Sequence, residues 1–210
     1  MSSLKAQMVA KARGGTRKRH AIVVATQGQY ISLPFSLSGD ARLRMRFHIQ
    51  SHLQAQTNAI FASGNPSNLN AAQFGMRTFL NSLYFMYGSQ NASFPAIDFV
   101  QKWIELDMTN VVAANGEEIH AFPQNPFAPP TDKSTLFSYY SSNFALPGAK
   151  CEYLRIDDGG NHADLVAVPQ GSTEFSATPA RENGFWCGAK KLYYYAEGGF
   201  GPFGIEDIPG

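Results

Sequence analysis

The chain never sustains one apolar pattern for long. From Ala21 onward, runs such as AIVVA, QYISLPF, TNAIFASG, SLYFMYG and ADLVAVP are each closed by Gly, Pro, Asn, Asp or Ser. Breakers of that kind, roughly every ten residues, permit many short strands joined by turns and leave little room for helices. ARLRMRFHI shows the period directly. Leu43, Met45, Phe47 and Ile49 fall on one side and Arg42, Arg44, Arg46 and His48 on the other, as in a strand with one face buried and one wet. A row of arginines on an outer sheet face reads first as a solvated surface or as one half of cross-strand ion pairs.

Two turns reinforce this reading. Asn115-Gly116 lies between VVAA and EEIHAF, where two positive φ angles close a tight hairpin. Asp158-Gly159-Gly160 repeats the device between YLRID and ADLVAVP. The chain of 210 residues suits one domain, and its 19 Gly and 12 Pro exceed what a helical bundle tolerates. The expectation is an all-β, antiparallel two-sheet sandwich over residues 21–210.

Charge is placed unevenly. Lys5, Lys11, Arg13, Arg17, Lys18 and Arg19 precede the first acid, Asp40. A basic arm over residues 1–20 on a mildly acidic body differs from a basic domain, because the body would not help the arm to hold nucleic acid. Residues 2–12 can form one short helix, ended by Gly14-Gly15. No apolar run approaches the ~20 residues of a membrane span. The N-terminus has no secretory apolar region, since Lys5 and Lys11 interrupt it. Synthesis in a cytoplasm is therefore expected, with Cys151 and Cys187 as free thiols.

Several phrases, in order, resemble laminin-G-like (concanavalin A-like) jelly-roll domains of bacterial and bacteriophage type. ATQGQYISLPFSL resembles the opening strand, and QFGMRTFLNSLYFMYG a Phe-Gly-x-Arg strand pair. KWIELDMTNVVAANGEEI resembles the Trp-led strand with its hairpin. CEYLRIDDGGNHADLVAVPQ resembles the stretch ending in Val-Pro, and NGFWCGAKKLYYYAEGGFGPFG the closing strand. The likeness covers about residues 21–205. Trp186-Cys187 stands where that family has a Tyr-Asp pair, and the N-terminal arm has no counterpart. The resemblance implies a bacteriophage virion protein of a tail fibre, tail tip or capsid surface. Its partners would be other virion proteins in a homo- or hetero-oligomeric assembly, and a host glycan.

Chemistry is sparse. The fold also hosts glycoside hydrolases that use paired carboxylates. Glu105 and Asp107 share one face of WIELDMT, but Thr109 occupies the place of a further acid. An enzyme is therefore not expected, and a glycan-active hydrolase or lyase is the alternative. An internal virion protein touching nucleic acid through the arm is another. The five histidines lack metal-ligand spacing, so no metal or cofactor is expected. Calcium is the exception to weigh, through Asp157, Asp158, Asn161 and Asp164, although turn chemistry accounts for Asp158 and Asn161. Binding is the favoured role, with Tyr139 or Tyr140, Trp186, Tyr193 and Tyr195 as outward aromatics that can stack on sugar rings. Tyr193 and Tyr195 face out if Leu192 and Tyr194 face in.

Overall fold

A computed structural model describes residues 18–51, 58–64, 73–124, 127, 133–139 and 143–208. The strands are β1 (Arg19–Val23), β2 (Ile31–Leu33), β3 (Arg42–His48), β4 (Asn58–Gly64), β5 (Gln73–Phe79) and β6 (Ser82–Gly88). Next come β7 (Gln90–Pro95), β8 (Trp103–Met108), β9 (Val111–Ala114), β10 (Glu117–Ala121), β11 (Ser134–Leu136) and β12 (Ser138–Tyr139). The last six are β13 (Asn143–Phe144), β14 (Lys150–Asp158), β15 (Asn161–Val168), β16 (Gly184–Cys187), β17 (Leu192–Tyr194) and β18 (Gly204–Ile208). One 3-10 turn, Ala96–Asp98, is the only helical element among the described residues. None of them forms a helix long and apolar enough to cross a membrane.

Two antiparallel sheets face each other as a jelly-roll sandwich. The large sheet runs β10-β9-β8-β3-β14-β15-β16-β17, with β1 joining β14 and carrying β18 on its other edge. The small sheet runs β2-β11-β4-β5-β6-β7. β3 sits in the middle of the large sheet, and its alternation gives it one buried and one wet face: Leu43, Met45 and Phe47 are fully buried while Arg42 and Arg44 are exposed. Phe47 meets the core from one sheet, and Phe61, Phe74 and Phe85 from the other. Burying each such ring contributes roughly 1.5–3 kcal/mol.

Both hairpin turns form where the sequence places them. Asn115 (φ 53°) and Gly116 (φ 85°) join β9 to β10 with the paired positive angles of a type I′ turn. Asp158 pairs with Asn161 across Gly159-Gly160.

Residues 18–20, expected in the arm, lie against the sandwich. β1 begins at Arg19, where Arg19 pairs with Ile208 and His20 with Asp207. Lys18 Nζ lies 3.3 Å from Asp207, and the Arg19 guanidinium forks onto Glu152 at 2.6 and 2.7 Å. These two cations, expected in the arm, are part of the sandwich, because acids of β14 and β18 lie across from them. Lys5, Lys11, Arg13 and Arg17, and the short helix expected over 2–12, lie outside the described residues.

The phrase ATQGQY has a structural reason. Gln29 is fully buried, and its side-chain oxygen accepts the N–H groups of Ala25 (2.7 Å) and Thr26 (3.1 Å). Its amide nitrogen donates to the carbonyls of Gly201 (3.0 Å) and Pro202 (2.6 Å). One side chain thus ties the loop after β1 to the Gly-rich loop before β18. Gly28 stands at φ 106°, which favours glycine, and a Cβ there would also have to displace the exposed Phe200 ring, 2.5 Å away.

Candidate functional site

The outward face of the large sheet holds an ordered array of charge and aromatic surface. On β8, Ile104, Leu106 and Met108 enter the core, so Trp103, Glu105 and Asp107 face outward beside the arginines of β3. Arg42 grips Asp107 with both limbs of its guanidinium, Nε to Oδ1 at 2.8 Å and Nη2 to Oδ2. That bond raises the Arg42 pKa above its already high value. Arg46 lies over the Trp103 ring, 4.9 Å from its centroid, and donates to Glu152 at 2.5 Å.

A β-bulge decides what β14 contributes. Cys151 pairs with Phe47 and Tyr153 with Arg46, leaving Glu152 as an extra residue. Bulges re-aim side chains, and this one lets two successive residues, Glu152 and Tyr153, serve the outer face. Leu154 and Ile156 then return to the core. The Tyr153 hydroxyl donates to Glu105 Oε1 at 2.8 Å across β3, and the Arg155 guanidinium lies 5.0 Å from its ring centroid. Burial first, and then the hydrogen bond to Glu105, push the Tyr153 pKa up to about 12.

Between these groups lies an open depression of about 440 Å3, lined by Arg44, Glu105, Asp107, Ala113, Asn115 and Tyr153. Asn115, at the β9–β10 turn, accepts the Glu105 N–H on its side-chain oxygen at 2.9 Å and donates its own N–H to the Glu105 carbonyl at 2.8 Å. The hairpin tip is thereby fixed to the floor of the site. Tyr153 also borders a smaller hollow of about 180 Å3 beside Arg19 and Arg155.

The aromatic residues expected to receive a sugar sit elsewhere. Trp186 is only 7 % exposed and packs with Val168 and Ala180, stacked on Phe175. This corrects the expectation of an outward Trp186: its strand position does face away from the main core, but the segment 169–183 folds over it. Tyr193 is half-buried against the same cluster, and its hydroxyl donates to the Thr178 carbonyl at 3.2 Å. Tyr195 accepts the Arg181 N–H at 3.1 Å and carries the Arg181 guanidinium 4.5 Å above its ring. These tyrosines clamp the covering segment. Tyr194 packs on the main core as expected, whereas Leu192 is 43 % exposed at the sheet edge. Tyr140 lies outside the described residues, and so does the side chain of Tyr139.

The acids weighed for calcium each have a separate partner. Asp158 accepts the Ser38 N–H at 2.9 Å and the Ser38 hydroxyl at 2.5 Å. Asp157 pairs with His162 at 3.1 Å and Asp164 with Arg155 at 3.3 Å. Among the described residues no group of three His, Cys, Asp or Glu side chains is arranged to hold a metal. Cys151 and Cys187 are free and buried, and burial pushes the Cys151 thiol far up.

His48 ends the arginine row. Its ring tilts against Trp103 at 5.5 Å, and its Nδ1 is buried with no hydrogen-bond partner. Burial, then Lys150, lowers its pKa below 6.5, against a smaller opposing pull from Glu206. The unfolded chain therefore binds a proton at a higher pH than the folded one does. Stability from this group is complete above pH 6.5 and declines as pH falls through the folded value. Between pH 7.5 and 5.5 the wild type should lose more melting temperature than His48→Phe, which keeps the contact with Trp103. Equal losses in a pair of thermal scans would remove His48 from this account.

No protein-family model matches the chain, and no curated protein matches it. Its fold is shared with a solved structure described as a "putative carbohydrate binding protein from Bacteroides ovatus". The two align with a TM-score of 0.60 over 93 % of this chain, at 13 % identity. The chain spans 61 % of that protein's length. The likeness is one of fold: a jelly-roll sandwich, with the finer laminin-G assignment resting on the sequence phrases alone.

Proposed function

We propose that this chain is a non-catalytic, glycan-binding jelly-roll domain whose site is the outward depression over β8, β3 and β14. The observation that carries the reading is a set of polar groups pre-positioned by one another around an open hollow. Asn115 fixes the backbone of Glu105, Tyr153 fixes its carboxylate, and Arg44 stands at the same hollow. Sugar sites combine aromatic surface with a few hydrogen-bonding groups that need no rearrangement on binding. The description of the solved structure that shares the fold adds support.

The same geometry supports binding without cleavage. Hydrolysis of a glycoside needs one carboxylate free to donate a proton and a second to attack or to activate water. Asp107 is forked onto Arg42, and Glu105 is engaged by Tyr153. Thr109, where a further acid would stand, receives the Val111 N–H on its hydroxyl at 3.1 Å and shapes the turn to β9. The arm, with Lys5, Lys11, Arg13 and Arg17, then acts as the tether to a larger assembly. A virion surface is the assembly that the sequence resemblance implies.

Titration calorimetry against a panel of oligosaccharides tests the reading. Tyr153→Ala should weaken the best binder about tenfold or more, since it removes both a ring surface and the bond that orients Glu105. No reducing ends should appear on long incubation. Cleavage that disappears in Glu105→Gln would show a hydrolase instead.

A further inference from the structure

The arginines of β3 are not equivalent. Arg42 and Arg46 each have a carboxylate partner, whereas Arg44 is exposed and makes no ion pair or side-chain hydrogen bond among the described residues. Its two cross-strand neighbours are Asp107 on β8 and Arg155 on β14. Asp107 is already taken by Arg42. Arg155 is a like charge directly opposite, a pairing that destabilises a sheet unless something compensates it. Arg155 has Asp164 at 3.3 Å and the Tyr153 ring, and Arg44 has neither. Arg44 is thus a guanidinium with its bonding capacity unused, at the edge of the depression.

We propose that the ligand of this depression is an anionic saccharide whose acidic group is received by Arg44. The inference rests on the glycan-binding reading above and names the class of sugar. The charge map of the hollow argues for it. On the β3 side stands Arg44, the one cation that lines the hollow among the described residues; toward β8 lie the carboxylates of Glu105 and Asp107. A neutral sugar leaves the arginine side uncompensated. A uniform polyanion such as a nucleic acid sets further negative charge against Glu105 and Asp107. A sugar with one acidic group and several hydroxyls suits both sides: its carboxylate or sulfate meets Arg44, and its hydroxyls donate to the carboxylates and accept from the Asn115 amide. Arginine suits the acidic group because its planar fork matches two oxygens at once.

The test is a calorimetric panel on the full chain with saccharides that carry one acidic group, sialyllactose, an aldobiouronic acid and hyaluronan disaccharide, each beside its carboxyl-reduced neutral counterpart. A sulfated galactan oligosaccharide beside its desulfated form separates sulfate from carboxylate. Hydrogen bonds to a charged group predict that the acidic member of at least one pair binds roughly ten- to a hundredfold tighter than its neutral counterpart. Arg44→Gln should erase that preference, while Arg181→Gln, an exposed arginine beside Tyr195, should keep it. Equal affinity within every pair, or a preference that survives Arg44→Gln, overturns the inference and leaves the glycan reading standing. A preference lost equally in Arg181→Gln is non-specific attraction and also overturns it. Binding of no sugar, acidic or neutral, removes the glycan reading and this inference together.

Discussion

Replacing Gln29 with alanine should lower the melting temperature by roughly 6–12 °C, from about 3 kcal/mol lost at 2–4 °C per kcal/mol in a domain of this size. The side chain fills four bonding positions while fully buried, two as acceptor and two as donor. Alanine leaves two N–H groups and two carbonyls without this partner, in bonds that are part-buried although the residues that carry them are exposed. A fully buried orphaned group costs about 1–3 kcal/mol, and hydration of these part-buried ones brings the total for all four down to about 3 kcal/mol. Gln29→Glu sharpens the test. A carboxylate still accepts from Ala25 and Thr26 on one oxygen, but it turns the other, a repelling oxygen, on the two carbonyls of Gly201 and Pro202. It should be no more stable than Gln29→Ala at neutral pH. Thermal unfolding of the three proteins decides the matter, and a shift below about 2 °C for Gln29→Ala would show that the loops are held by other contacts.

Gln29 also marks the limit of what the residues disclose. The alternation of β3, the Asn-Gly hairpin and the turn-punctuated runs were legible, because strand period and turn chemistry are local properties. Two strands were not. β7 carries Gln90, Asn91 and Ser93, and β18 carries Glu206 and Asp207 between prolines, so neither has an apolar stripe to announce it. β18 exists because β1 needs a partner on its free edge, which is a tertiary fact.

The site was legible only in part. Arg44 belonged to a row that reads as solvated surface or as one half of cross-strand ion pairs; Arg42 and Arg46 are the paired kind and Arg44 the solvated kind. What separates Arg44 is the register that sets Arg155 opposite it, and register across β14 depends on a bulge that no sequence period reveals. The same bulge makes Tyr153 an outward residue. Trp186 misled for the opposite reason. Its parity on β16 is outward, but a covering segment that strand period does not describe buries it.

Glu152, the residue that the bulge inserts, should be the costliest single charge to remove. Its carboxylate is 12 % exposed and receives Arg19 at 2.6 and 2.7 Å and Arg46 at 2.5 Å. Burial pulls its pKa upward, yet the bonds from Arg19 and Arg46 outweigh that and hold it below the ordinary 4.5. Glutamine keeps the shape and one acceptor oxygen, but it turns an N–H toward a guanidinium and removes the negative charge that Arg19 and Arg46, the latter 22 % exposed, share. Glu152→Gln should therefore destabilise by about 2 kcal/mol at pH 7, most of it through Arg46, because the more exposed Arg19 is worth less than about 1 kcal/mol. The pH dependence has a definite sign. A carboxylate held below its unfolded pKa adds stability above that pKa and loses it as pH falls through the folded value. The gap between wild type and Glu152→Gln should close below pH 4.5, a window distinct from that of His48, which begins at 6.5. Truncation isolates the Arg19 share. Residues 18–210 should melt like the full chain, whereas 21–210 loses the fork and the first two pairs of β1 with β18. In that shorter protein Glu152→Gln should cost less than in the full chain, by a few tenths of a kcal/mol up to about 1. Urea titrations of the five proteins at pH 7 and pH 3.5 measure each quantity, and a Glu152→Gln cost that persists unchanged at the lower pH would refute the charge-based account.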